Sequence, residues 1–562
     1  MELYRIPVGS LAIIPRENSV MKPFCIPLAA VVISLAAPLA AQEGSDLFLQ
    51  QRIQAHITFL ADDLLRGRQP GTEGYDIAAA YVASQFQQLG LAPAGTEGSY
   101  FQAVPLRRAW LSPGSAAMSL QRDGQTTVFN FVDDFYMGPS KSHTSSSLDA
   151  AMVFAGYGID APALAYNDYV ELEVAGKIVV VLDGQPEGFP SEEGAHFSSS
   201  REIAGNAAAR GAIGLVTIHT PASEKRFAWQ RIKNLVGTPS MGWLEADGEV
   251  FADFPQIQVM AHIHHDAAAG LFTDAAYSLQ DLLAMDEAGQ PLSGFALDGS
   301  LHISQNSVHE TISSPNVVAR LQGSDPMLNG EYMLYTAHLD HIGELAGEGH
   351  VDAINNGAMD NAAGVAVMLE TARLFAGADA PRRSMLFVAV TAEEKGLVGS
   401  EFFARHPTVP EAGMVAVINL DMPLLLYDFG DVIAFGAEHS TMAAAAQMAA
   451  DEAGISLTPD PFPEQNIFVR SDHYRFVQQG IPAIFLVTGT HSRDGQTDTL
   501  PLYEAFLKDH YHTPSDDLNL PINYAAAARF TRINTRIGQI IANQLQRPVW
   551  NEGDFFGDTF SR

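Results

Sequence analysis

Short apolar runs in the second half of the chain are separated by polar and turn residues, as buried parallel strands are. They are rich in β-branched side chains and comprise Tyr332–Ala337, Met385–Thr391 and Val415–Leu420. Between the first two runs, the stretch from Asn361 to Phe375 repeats apolar residues at helical spacing. This alternation predicts the α/β class, with a mostly parallel central sheet flanked by helices.

A second group of strand-like runs, punctuated by glycines, lies upstream of that sheet. It comprises Val153–Gly158, Gly176–Leu182 and Gly211–Thr217, with an alanine-rich helical stretch before the last run. These runs predict a β-rich domain at 112–308, inserted between strands near 101–106 and 316–321. The surrounding domain would then span 42–111 and 309–550, closed by a long helix over 522–545. Residues 551–562 are expected to form a loosely held tail.

The first residues of the chain have the pattern of a processing segment. Met21-Lys22 precedes an apolar stretch that ends in small residues near Ala40-Ala41. This is typical of a secretory signal, so we expect a leader and signal peptide at 1–41 and an exported protein, periplasmic or secreted. Either Met1 or Met21 can be the initiator. The only cysteine, Cys25, lies inside the signal, so the mature chain would have no disulfide and no cysteine metal ligand.

Length and charge narrow the class of protein. A chain of 562 residues is too long for one ordinary core, so two or three domains are expected. Its 65 acidic residues against 32 lysines and arginines give a formal charge of −33. Nucleic acid and anionic membrane both require basic surfaces, so this charge argues against either as a partner. We therefore expect no membrane association once the signal has been removed.

Polar residues with metal-binding side chains stand at or near the ends of the predicted strands and helix. They are His338, Asp360, Glu394, Asp421 and His512. Each alone has an ordinary structural explanation, such as a helix cap or a solvated turn. Strand ends of an α/β sheet meet at one edge, where ligands bind. Two imidazoles with three carboxylates suit zinc better than manganese or cobalt, and the adjacent Glu393 is free to act as a base. The set predicts a two-metal hydrolase.

The motifs around these residues resemble those of the M28 family of di-zinc peptidases. The matching segments are His338-Leu-Asp340, Asp360-Asn-Ala-Ala-Gly364, Glu393-Glu-Lys-Gly-Leu-Val-Gly-Ser400, Asn419-Leu-Asp421 and Tyr511-His-Thr-Pro-Ser-Asp516, with Phe59–Arg68 near the N-terminus. The resemblance implies two Zn²⁺ ions bridged by Asp360. His338 and Asp421 would complete one zinc site, and Glu394 and His512 the other.

The same resemblance assigns the neighbouring residues. It implies that Glu393 is the general base and that Asp340 supports the His338 imidazole. Tyr511 can donate its phenol to the oxyanion or simply pack beneath the site, and Asp516 can support His512. Met359 departs from many relatives, which have a second Asp there, but other members have an apolar residue at that position.

The predicted insert resembles the protease-associated (PA) domain, which implies that it covers the cleft, selects substrates or has a structural role. Together the resemblances favour an aminopeptidase acting on peptides. A carboxypeptidase or amidohydrolase with the same di-metal core is the alternative, and a catalytically dead PA-bearing receptor is disfavoured by the intact Glu393. The roles of two other groups stay open. Ser471 can be a helix cap or a pocket residue. The imidazoles of His262, His264 and His265, on or beside one strand, can bind a metal or have an ordinary structural role.

Overall fold

In a computed structural model, which describes residues 46–234, 236–345 and 351–561, the chain folds around two β-sheets that share one long strand. The predicted leader and signal at 1–41, with Cys25, lie outside the described residues.

The strands follow one another along the chain in two groups, those of the insert lying between those of the main sheet. They are β1 Ala92–Pro93, β2 Phe101–Leu111, β3 Ala117–Arg122, β4 Gln125–Phe129, β5 Phe135–Tyr136, β6 Ser145–Phe154, β7 Asp160–Ala161, β8 Tyr166–Asn167, β9 Ile178–Leu182, β10 Gly214–His219, β11 Ser240–Trp243, β12 Val259–His264, β13 Phe295–Leu321, β14 Tyr332–His338, β15 Gly343–Glu344, β16 Ile354–Asn355, β17 Ser384–Val390, β18 Met414–Asn419, β19 Asp431–Phe435, β20 Ser456–Thr458 and β21 Ala483–Thr488.

The α-helices begin with one that includes residues 49–60 (α1). The others are α2 Glu73–Gln88, α3 Ser191–Phe197, α4 Ser200–Ala209, α5 Pro221–Arg226, α6 Trp229–Asn234, α7 His265–Ala268, α8 Leu279–Glu287, α9 Gly364–Ala376, α10 Val398–Arg405, α11 Met442–Ala453, α12 His473–Val477, α13 Leu500–Asp509, α14 Tyr524–Asn543 and α15 Phe555–Phe560. The predicted helix over 522–545 is α14, whose first turn is capped by Asn523.

The main sheet has the order β2–β13–β17–β14–β18–β21–β19–β20. Its centre, β17–β14–β18–β21, is parallel, which confirms the predicted class. Strands β14, β17 and β18 are buried along their whole length because helices cover both faces. Side chains of β14 alternate between two apolar clusters: Met333 and Tyr335 face one, and Leu334 faces the other.

The insert forms the second sheet, in the order β4–β3–β13–β6–β9–β10–β12–β5. The three predicted runs correspond to the end of β6, to β9 and to β10. The expected boundary at 308 falls inside β13, whose 27 residues pair with the insert at one end and with the main sheet at the other. In addition, β11 of the insert region pairs with β2 of the main sheet. Pairing across the boundary joins the two layers without a linker.

The C-terminal tail differs from the expectation. Residues 555–560 form helix α15, and Phe556 is fully buried in the apolar cluster on one face of the main sheet. The aromatic residues Phe555, Phe556 and Phe560 provide the apolar area that fixes this segment. Among the residues that the structure describes, no helix has both the length and the apolarity needed to cross a bilayer.

Candidate metal and catalytic site

The parallel strands bring the predicted residues to one edge of the main sheet. His338 is the last residue of β14, and Asp421 closely follows β18. Glu393 and Glu394 lie in a short 3-10 turn after β17, and Asp360 lies in a π-type turn that leads into α9. His512 approaches from the loop after α13.

One imidazole faces two carboxylates at this edge. The Nε2 atom of His338 is 3.1 Å from Oδ1 of Asp360 and 3.0 Å from Oδ1 of Asp421. Its Nδ1 atom donates to the backbone carbonyl of Asp340 at 3.1 Å. This tautomer leaves the Nε2 lone pair directed at the two carboxylates, where a metal ion can accept it.

The second imidazole repeats the arrangement from the other side. The Nε2 atom of His512 is 3.2 Å from Oδ2 of Asp360 and 3.2 Å from Oε2 of Glu394. Asp360 therefore offers one oxygen to each group. Ligand atoms at about 2.0–2.1 Å from a tetrahedral zinc ion lie about 3.3 Å apart, so spacings of this size fit zinc. The donor set and its spacing fit two ions that share Asp360.

The buried side chains of the site carry more negative than positive charge. Desolvation raises the pKa of Glu393 well above its usual value; the His338 charge opposes this rise and the Glu394 and Asp421 charges add to it. Burial alone would lower the pKa of His512, but the charge of Glu394 and the hydrogen bonds that His512 donates to Asp360 and Glu394 raise it to about 10. Buried carboxylates are costly without compensating charge, so cations would stabilise this cluster.

Asp340 contacts the His338 imidazole through its backbone carbonyl and not through its carboxylate. The His338 ring donates to the carbonyl of Asp340. The carboxylate of Asp340 accepts from the backbone N–H groups of Glu393, at 3.0 Å, and Glu394, at 3.3 Å. The residue therefore fixes both the imidazole and the turn that carries the two glutamates.

Asp516 also has a different partner from the expected one. Its carboxylate accepts from the backbone N–H groups of Met359, at 2.8 Å, and Asp360, at 3.0 Å. It thus orients the backbone of Asp360, the residue that faces both imidazoles, and no bond to His512 is found among the described residues.

Ser471 holds Asp421. Its hydroxyl donates to Oδ2 of Asp421 at 2.6 Å and accepts from the amide of Asn419 at 2.6 Å. The amide oxygen of Asn419 accepts in turn from Thr336 at 2.7 Å. This hydrogen-bonded chain leaves Oδ1 of Asp421 facing His338. Of the two roles left open for Ser471, the helix cap is not seen, because α12 has no side-chain cap, and Ser471 instead lines the cleft.

His341 is a third imidazole that the sequence analysis missed. It is fully buried, and its Nδ1 atom donates to Oε1 of Glu394 at 2.6 Å. His341, Asp360 and Glu394 also lie close enough to hold an ion. His512 contacts the facing oxygens of both carboxylates, whereas His341 contacts the remote oxygen of Glu394 and orients it. Its position one residue after Asp340 was the available signal.

Three non-glycine residues with positive φ surround these groups: Ala392 at 54°, Met422 at 36° and His512 at 58°. Each adjoins or is one of the predicted site residues. Such conformations cost free energy and persist where the surroundings over-determine them, often at functional sites.

The site opens into a cleft of about 1130 Å³ between the main sheet and the insert. His338, Asp360, Glu393, Asp421 and His512 line its floor. Tyr511 also lines the cleft, with its ring centroid 3.8 Å from that of His512, so its phenol stands beside the metal-binding groups.

The insert is fastened to the main domain beside this cleft. Arg201 of α4 donates to both carboxylate oxygens of Glu401, at 2.6 and 3.0 Å. Arg231 of α6 donates to the carbonyls of Leu507, at 2.6 Å, and Lys508, at 2.8 Å, in the last turn of α13. The insert therefore forms a wall of the cleft and contacts the helix that precedes His512.

The remaining imidazole group lies away from this cleft. His264, His265 and Asp266 come within ligand distance of one another at the end of β12. The side chain of Asp266 is 82% exposed, and His265 donates to the backbone carbonyl of His219. These contacts indicate that the three residues have a structural role in a surface turn.

Comparison with known proteins finds a matching family model for the second half of the chain. The model described as Peptidase family M28 matches residues 316–537. A "Probable zinc metalloprotease" of Pyrenophora teres f. teres (strain 0-1) is 38% identical over 112 residues, which cover 20% of this chain and 23% of that protein. A "probable leucine aminopeptidase 2" of Aspergillus oryzae is 28% identical over 214 residues, 36% of this chain and 40% of that protein.

A solved structure resembles a larger part of the chain. The "Aminopeptidase from Aneurinibacillus sp. strain AM-1" matches with a TM-score of 0.52 and 19% identity, covering 89% of this chain and 95% of that one. This agreement concerns the fold. The chain spans only about a quarter of the length of the first curated relatives that it matches.

Proposed function

Residues 316–537 are a peptidase family M28 domain, and on that premise we propose that the protein is a zinc-dependent exopeptidase that removes N-terminal residues from peptides. The observation that carries the proposal is Asp360, whose two carboxylate oxygens face His338 and His512 at 3.1 and 3.2 Å. A carboxylate placed in this way can bridge two ions, which is the arrangement of two-metal hydrolases.

We assign His338, Asp421 and one oxygen of Asp360 to the first zinc ion. Glu394, His512 and the other oxygen of Asp360 are assigned to the second. When bound there, the two ions supply Lewis-acid chemistry for hydrolysis of the peptide bond. Asp340, Asp516, Ser471 and His341 hold the ligands in position through the hydrogen bonds described above.

Glu393 is proposed as the general base. It stands beside Glu394 in the same turn, and its carboxylate lines the cleft while the backbone is fixed by Asp340. It can take a proton from the attacking water and pass it to the nitrogen of the leaving amine. The raised pKa of Glu393 suits a group that must hold that proton between the two steps.

Tyr511 is proposed as the donor to the developing oxyanion. Its phenol faces the cleft beside His512, and burial keeps its pKa well above the usual value, so it stays protonated. A neutral donor placed where negative charge develops stabilises the transition state. The insert, which we propose to be a PA domain of an exported protein, walls the cleft and limits access to extended peptides.

The test uses residues 42–562 purified with zinc and a set of short peptides with free or acetylated N-termini. Loss of residues from the free N-terminus alone is the expected result, with two zinc ions per chain by elemental analysis. Shortening from the C-terminus regardless of acetylation would move the assignment to a carboxypeptidase. Absence of cleavage would leave only a binding function.

A further inference from the structure

We propose that the outer part of the cleft selects peptides that carry a carboxylate on the leaving side of the cleaved bond. The selecting groups are Lys225 of the insert, Arg470 of the loop before Ser471, and Lys508 of α13. The inference rests on the proposed exopeptidase function and specifies its substrate class.

Basic side chains are concentrated in this cleft. Its walls carry five lysines and arginines from α5, α6, the loop before Ser471 and α13, namely Lys225, Arg226, Arg231, Arg470 and Lys508. The whole chain has 32 such residues and a formal charge of −33, so its surface elsewhere is strongly acidic. A local group of cations on such a protein attracts anions that the rest of the surface repels.

Two of the five cations are already committed to the protein. Arg226 forms an ion pair with Asp183 at 3.1 Å, and Arg231 donates to the carbonyls at the end of α13. Lys225, Arg470 and Lys508 are exposed, and none of them forms an ion pair with another residue that the structure describes. Among the described residues, the Arg470 side chain makes one hydrogen bond, from Nη1 to the carbonyl of Gln465 at 3.1 Å.

Of the acidic residues on the same walls, Asp183, Glu224 and Asp286 are engaged, whereas Glu504 is exposed and has no bonding partner among the described residues. Asp183 binds Arg226, and Asp286 accepts from the phenol of Tyr157. Glu224 accepts from His219 at 3.0 Å and from the backbone N–H of Trp229 at 2.7 Å. Outside the metal-binding groups, the three cations without an ion-pair partner therefore outnumber Glu504, the wall carboxylate that has no bonding partner among the described residues.

Two of these cations lie close in the chain to the proposed site residues. Arg470 directly precedes Ser471, which holds Asp421, and its charge acts on the phenol of Tyr511. Lys508 lies in the last turn of α13, shortly before Tyr511 and His512. A peptide whose scissile bond lies at the metal-binding floor would extend past these side chains. Its carboxylate can come from a nearby C-terminus, in a short peptide, or from an aspartate or glutamate side chain.

The experiment compares four peptides with the same N-terminal leucine: Leu-Gly-Gly with a free C-terminus, Leu-Gly-Gly amide, Leu-Glu-Gly amide and Leu-Lys-Gly amide. For wild type, we expect kcat/KM for the best carboxylate-bearing peptide to exceed that for Leu-Gly-Gly amide about tenfold, mainly through KM. Preference for the free C-terminus would identify short peptides as substrates, and preference for Leu-Glu-Gly amide would identify acidic side chains.

The double variant Arg470→Glu/Lys508→Glu should reduce that ratio to about one or reverse it in favour of Leu-Lys-Gly amide. Lys177→Glu is the charge-matched control, because Lys177 lies in the insert but does not line the cleft. A wild-type ratio near one, or an equal loss in the control, overturns the inference and leaves the exopeptidase assignment intact. No turnover of any peptide overturns the proposed function and the inference with it.

Discussion

At the scale of single residues, Glu393 and Glu394 are chain neighbours with different surroundings. Glu394 contacts two imidazoles, which together with its hydrogen bonds lower its pKa despite burial, whereas burial raises the pKa of Glu393. We predict that Glu393→Gln keeps both zinc ions and lowers kcat about 10²–10⁴-fold, because only proton transfer is lost. Elemental analysis and steady-state kinetics on one sample test this, and unchanged kcat would exclude Glu393 as the base.

Ser471 offers a second test at this scale. Ser471→Ala removes the hydroxyl that donates to Asp421 at 2.6 Å and should lower zinc affinity about 10–100-fold. The affinity is measured by competition with a chelator. Ser471→Thr retains the hydroxyl and serves as the control; equal zinc loss in both variants would show that the hydrogen bond does not position Asp421.

The candidate metal ligands were predictable because their residue types, order and strand-end positions appear in the sequence. The groups that hold them were not. Asp340 contacts the His338 imidazole through its backbone carbonyl, while the carboxylates of Asp340 and Asp516 accept from backbone N–H groups, and these contacts depend on the exact path of the turns. The same applies to His341, whose contact with Glu394 requires two loops to meet.

At the scale of elements, α6 and α13 connect the insert to the loop that carries Tyr511 and His512. Arg231→Ala would remove two charge-assisted hydrogen bonds from the last turn of α13, so we predict that kcat/KM falls about tenfold. Arg226→Ala is the matched control, because Arg226 pairs with Asp183 inside the insert. Equal losses in the two variants would contradict a specific role for Arg231.

The strands and the helix α9 were predictable because their apolar periodicity is strong. The π-type turn that precedes α9 was not, because it depends on contacts of Asp360 and Asn361 with distant segments. The register across β13 was also hidden, since nothing in its composition marks where one sheet ends and the other begins.

At the scale of the whole molecule, His439 joins three parts of the chain. Its imidazole binds Glu192 of the insert and, at 2.6 Å, Asp554 before α15. Burial alone would lower the pKa of His439, but Glu192 and Asp554 raise it to about 9, and burial raises the pKa of Glu192 to about 7. Both values lie above the usual ones, so the stability that these groups add is complete at low pH and is lost as pH rises.

We therefore predict that the free energy of unfolding falls by about 2 kcal/mol between pH 6.5 and 9.5 because of this contact. Urea denaturation across that range measures it. His439→Gln should remove this part of the pH dependence, whereas His510→Gln, which alters an imidazole hydrogen-bonded to Ser515, should keep it. Equal pH profiles for wild type and His439→Gln would contradict the prediction.

Strand β13 has a mechanical consequence. Its 27 residues belong to both sheets, and β2 runs antiparallel to it from Ser307 to Val317. A swinging lid needs a hinge, and here the place for a hinge is occupied by a continuous ladder of backbone hydrogen bonds. Under tension applied between the insert and the main domain, the two layers should therefore yield together, and any molecule that binds in the cleft must enter and leave through a fixed opening.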